Sequence, residues 1–126
     1  MSIDLGYKPM QVHNVLKIGN VYRELGDINK AIENHEIANE VSEEINFEQG
    51  LIESIRFLGE DYLAKKSFRT AYEYFKSSLE LAEKNNRRDF ISSSLVNIAQ
   101  CYMGFQEANN IAVSYTHLTL PTICSV

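Results

Sequence analysis

Apolar residues recur along the chain with a helical rhythm, broken at short polar intervals. Val15, Ile18 and Tyr22 stand at i, i+3 and i+7, and Ile55, Leu58 and Tyr62 repeat that spacing, so each set lines one face of a helix. A break follows each stripe. In "LGDINK" Gly26 suits a helix C-terminus and Asp27 can accept a hydrogen bond from the start of the next helix; in "AKKSFR" Ser67 takes that capping place. A second stripe then begins, with Ala31, His35 and Ala38 after the first break and Ala71, Phe75 and Leu79 after the second. The pattern predicts helix-turn-helix hairpins. The only prolines, Pro9 and Pro121, leave these helices uninterrupted.

The two hairpins are copies. A shift of forty residues lays Gly19 on Gly59, Tyr22 on Tyr62, Ala31 on Ala71 and Glu40 on Glu80, and a further shift reaches Ala99 and Tyr102. Val15, Ile55 and Leu95 form one apolar column, and Ile18, Leu58 and Ile98 another. The third, Val21, Asp61 and Cys101, is broken by an acid. An interior glycine costs a helix about 1 kcal/mol relative to alanine, so Gly19 and Gly59 imply that something approaches the backbone closely there.

The order of a small residue, a tyrosine three later, an alanine nine after that and then an aromatic, with Gly-Asp at the turn, resembles the tetratricopeptide repeat. Gly19-Tyr22-Ala31 and Gly59-Tyr62-Ala71 carry the resemblance, Ala99-Tyr102 opens a third copy, and it spans roughly Val12 to Ile111. It implies an all-α fold, a right-handed superhelical array of antiparallel hairpins forming an α-solenoid fragment, in which larger side chains at the small positions would overpack the seam by about 1 to 3 kcal/mol. His35 departs from the family's aromatic and Ile111 from its alanine. The family period is about 34 residues, so the stride of forty implies longer helices and a longer joint between units, and resembles bacterial regulators in which such an array senses a partner.

On this reading residues 1–10 end a preceding, truncated repeat, because "SIDLGY" aligns with "SEEINF"; residues 11–46 and 47–86 are repeats 1 and 2, and 87–112 are a partial repeat 3 whose first helix runs from about Asp89 to Gly104. The string "VSYTHLTLPT" resembles one reading frame of a transposase-type sequencing adapter. Residues 113–126 are therefore expected to be a non-native tail, and Thr116, His117 and Cys124 receive no role.

Composition narrows the function. The 126 residues are 44% hydrophobic and 23% charged, without a spanning apolar run or a secretory leader, which makes a cytoplasmic protein with no membrane partner the default. A net charge of −5 with interleaved signs argues against direct nucleic-acid binding. Cys101 and Cys124 lack ligand spacing, so no metal site is expected, and no cofactor is implied. No nucleophile-base arrangement, phosphate loop or inward carboxylate pair supports catalysis.

The resemblance assigns a peptide-binding groove to the inner faces of the first helices. It comprises His13, Leu16, Asn20 and Arg23 from repeat 1, Glu53, Arg56, Glu60 and Leu63 from repeat 2, and Ser93, Val96, Asn97, Gln100 and Met103 from repeat 3. Asn and Gln can pair with a peptide main chain, and Arg23 with Arg56 can fork onto a carboxylate. Family members that clamp chaperone tails carry a basic residue where this chain has Leu16, which argues against that ligand. The reading is a non-catalytic protein- or peptide-binding module, the sensory or scaffolding part of a larger bacterial regulator. Its alternatives are the regulatory fragment of a signalling enzyme or transcription regulator (diguanylate cyclase, histidine kinase or helix-turn-helix output) and a scaffold that self-associates through uncapped ends.

Overall fold

The computed structural model describes residues 8–119, with side-chain surroundings for residues 8–108. Five helices follow in order: α1 (Pro9–Glu24), α2 (Ile28–Glu44), α3 (Glu48–Ala64), α4 (Phe68–Lys84) and α5 (Arg88–Thr119). Of residues 1–10, expected to end a preceding repeat, positions 1–7 lie outside the described residues, as do 120–126, and α1 already begins at Pro9 within that segment.

All four corners are built alike. Gly26, Asn46, Lys66 and Asn86 take φ of 89°, 55°, 63° and 55°, placing a left-handed residue every twenty positions. After each, the N–H of Asp27, Phe47, Ser67 or Arg87 donates back to the carbonyl of Tyr22, Ser42, Tyr62 or Ala82 at 2.8–2.9 Å. This is the closure that ends helices on a left-handed residue. Asp27 caps α2 as expected, its carboxylate accepting from the Lys30 N–H, whereas Ser67 occupies the cap of α4 without a side-chain bond. The joint between hairpins is thus as short as the turn within them. The extra length of the repeat resides in its 16- and 17-residue helices, and the joint expected to be longer is not.

Successive helices pack on one another, and α1 also touches α3 as α3 touches α5, while α2 and α4 do not meet. The odd helices therefore form a contiguous inner layer and the even helices a splayed outer one, the arrangement of an α-solenoid with its concave side on the odd helices. Val12, Leu16, Ala38 and Val41 fill the space between α1 and α2, supported by Phe47 and Phe57. Ile52, Ala82 and Phe90 form one core beneath α5, and Ala71, Phe75 and Cys101 another.

Close approach at the glycines is real, and its agent is a ring. A Cβ on Gly19 would lie 2.5 Å from the His35 ring, and one on Gly59 would lie 2.6 Å from the Phe75 ring. Gly50 plays the same part between hairpins, where a Cβ would meet the Ser42 hydroxyl at 2.3 Å. The inter-hairpin seam is lined with small residues, Ala38, Ser42 and Ser54 at one joint and Ser78, Ala82 and Ser94 at the other, all with no exposed surface. Ser78 Oγ spends its proton on the Ile52 carbonyl at 3.1 Å, which lets a hydroxyl lie in that seam.

The third copy departs from expectation. In place of a helix ending near Gly104 and a second one beginning, α5 continues unbroken to Thr119, across the expected boundary at residue 112. Gln106 and Glu107 stand where Gly26 and Asp27 stop α1, and neither stops a helix well. Among the described residues no helix returns over α5; Ala99 is exposed and Tyr102 is 58% exposed, so neither performs the packing expected from Gly19-Tyr22 and Gly59-Tyr62.

Candidate binding groove

The inner faces of α1, α3 and α5 bring together most of the expected groove residues, and they divide it by chemistry. On α1 and α3 the charged groups pair with one another. His13 Nδ1 lies 3.5 Å from a Glu53 oxygen and its ring stands edge-on to Phe47, while Arg56 reaches Glu60 at 3.3 Å. Arg23 donates to Asp61 at 3.0 Å and approaches Glu60 at 3.9 Å. The guanidinium of Arg56 sits 4.7 Å from the centre of the Phe57 ring, with Arg23 at 5.9 Å.

These pairings change the role expected of the arginines. Both already hold carboxylates of the chain, so a ligand carboxylate gains a forked grip only by displacing Glu60. Half of this floor is polar and internally neutralised. Leu16 is a correction of another kind: it is 2% exposed inside the first core, with no surface for a ligand. Asn20 is half-buried, with an amide oxygen that has no partner among the described residues.

From Ser93 to Met103 the α5 side of the groove is uncharged. Val96 and Met103 are 60% and 61% exposed, one turn to either side of the exposed Gln100. Asn97, expected to face a ligand, is 6% exposed and donates to the Gln100 side chain at 3.1 Å; Ser93 bonds back to the Asp89 carbonyl. Where α5 crosses the end of α3, Leu63, Phe68, Met103 and Gly104 line a cleft of about 410 Å³ rimmed by Lys66 and Glu107. Gly104 matters here, because a Cβ on it would strike the Phe68 ring.

Sequence reasoning missed the buried ion cluster at the back of this groove. His35, placed at a partly buried seam, has no exposed surface, and neither has Asp61. Their side chains meet at 2.5 Å, Nδ1 to Oδ2, and Arg23 bonds the other Asp61 oxygen. The signal was present in two columns at once, an acid where Val21 and Cys101 are apolar and an imidazole where Phe75 is aromatic. No cluster of three potential metal ligands occurs among the described residues. No described helix is long and apolar enough to cross a membrane.

Comparison with known proteins places this architecture. A search of curated proteins found no significant match. Ten solved chains match, among them the crystal structure of the tetratricopeptide repeat domain of Arabidopsis FLU. That domain is 20% identical, with a TM-score of 0.70 over 86% of this chain and 93% of the other, a likeness of fold. The family profile described as "Tetratricopeptide repeat" matches residues 11–84, all but the first two residues of the two complete hairpins and more than half of the sequence. The chain belongs to the tetratricopeptide repeat family.

Proposed function

We propose that this chain is a non-catalytic module that binds an extended segment of a partner protein along the inner layer, with apolar side chains of the partner seated on α5. The observation that carries this reading is the exposure of Val96 and Met103 on a helix face that the fold does not need for packing. Apolar side chains left open on a concave surface gain from being covered by a partner. The mutual pairing of the ionic groups on α1 and α3 supports binding over catalysis, because no unpaired acid, base or nucleophile is gathered there. The forty-residue stride supports a sensory or scaffolding role within a larger bacterial regulator.

A displayed library of extended peptides selected on this protein tests the groove. Binding of the selected peptides should fall at least tenfold in the Val96→Glu/Met103→Glu variant and stay within twofold in Leu95→Glu/Tyr102→Glu, whose sites are exposed elsewhere on the same helix. The opposite order overturns the reading.

A second reading draws on a different surface. Ile18, Val21 and Leu25 are 48%, 57% and 75% exposed in one stripe on α1, and Leu95 and Tyr102 are exposed on α5, which supports association of copies through their ends. Light scattering across a dilution series decides it, a constant monomer mass counting against self-association.

A further inference from the structure

We infer that Arg23, Asp61 and His35 form a three-helix polar clamp that holds α1 in fixed register on α3, while α5 is held on α3 without a buried ionic tie of this kind. The groove then has one rigid wall and one compliant wall.

The clamp has one side chain on each of three helices. Arg23 comes from α1, His35 from α2 and Asp61 from α3, so its bonds run within the first hairpin and across to the second. The His35 ring leaves no polar edge idle, since Nε2 lies 3.2 Å from the Leu16 carbonyl on α1 while Nδ1 faces Asp61. Phe57 links this interior to the groove, with its ring 5.4 Å from that of His35 and near both arginines. Hydrogen bonds are directional and short-ranged, those to a carboxylate most strongly so, and three of them crossing helices, two on Asp61 and one on the Leu16 carbonyl, define a spacing that apolar contact leaves loose. Forty residues further on, Phe75 occupies the place of His35 and Cys101 that of Asp61, and the polar links there are a neutral relay from Ser94 through Ser78 on α4 to the Ile52 carbonyl, at 3.4 and 3.1 Å, and a 3.6 Å approach of Arg87 to Glu48 at the start of α5.

Phe75 over Gly59 shows that a phenyl ring fits the space His35 occupies over Gly19. A thermodynamic cycle with His35→Phe and Asp61→Val therefore tests the clamp. Either single change strands a buried polar partner and should lower the melting temperature by about 10 °C or more. The double variant, in which both are replaced by apolar groups, should melt within about 5 °C of the parent or above it. Hydrogen exchange separates rigidity from stability. In that double variant, amides of Gly19 to Glu24 should exchange at least tenfold faster than in the parent, approaching those of Ala99 to Gly104. Single losses that simply add in the double variant, a double variant that does not fold, or unchanged protection of α1 would each overturn the inference.

Discussion

The two complete hairpins solve one packing problem with different chemistry. Both lay a six- or five-membered ring against a glycine of the first helix, Phe75 on Gly59 and His35 on Gly19, at nearly the same distance. Phenyl asks nothing more of its surroundings. Imidazole carries two nitrogens that must be met, and the chain meets them with Asp61 and a main-chain carbonyl, then meets the buried carboxylate with Arg23. One change of ring thus commits two further residues, including one on the groove floor. A repeat is conserved in shape at lower cost than in chemistry.

The largest separation between the two regions should come from Asp61 and its counterpart. Asp61→Ala leaves His35 and Arg23 facing a void and should cost about 3 to 5 kcal/mol in chemical denaturation. Cys101→Ala, in the same column, removes only a small buried group and should cost about 1 kcal/mol. Equal losses would erase the distinction between a polar and an apolar seam.

Next in size are the glycines, where the hairpins should agree. Gly19→Leu and Gly59→Leu each drive a side chain into a packed ring and should cost about 2 to 3 kcal/mol, against less than about 0.5 kcal/mol for Glu53→Leu on the partly open face of α3. Thermal melts that do not separate Gly59→Leu from Glu53→Leu would contradict close ring packing as the reason for glycine.

The corners give a smaller contrast. Gly26 accepts its left-handed φ freely, whereas Lys66 adopts 63° with a Cβ in the way. Lys66→Gly should stabilise the protein by about 0.5 to 1 kcal/mol, and Gly26→Lys should remove a similar amount, both measurable by urea titration. Smallest is a kinetic signature of the apolar seam. Burial pushes the Cys101 thiol above its usual range, so less thiolate is present at any given pH. Alkylation at pH 8, followed by mass spectrometry of the peptide containing Cys101, should be at least tenfold slower in the folded protein than in urea.

Much of this was legible in the order of residues. The repeated columns located both hairpins, Gly19 and Gly59 announced close approach, and Asp27 marked a helix start, because each acts within one or two turns of chain. What escaped were effects that join distant positions. Asp61 read as a fault in an apolar column until His35, 26 residues earlier, supplied its reason. Leu16 and Asn97 were carried to the groove by family position, yet both are buried, Leu16 in the core between α1 and α2 and Asn97 at 6% exposure. The continuation of α5 was written in Gln106 and Glu107, whose failure to stop a helix weighs more than the periodicity suggesting a third turn.

The equal spacing of the four left-handed corners has an evolutionary corollary. Since every bend is the same, no bend tells the chain which flank of the solenoid its next segment belongs to, and side chains alone decide it. Growth by whole forty-residue copies preserves inside and outside, whereas gain or loss of a single twenty-residue segment would turn every later binding surface outward.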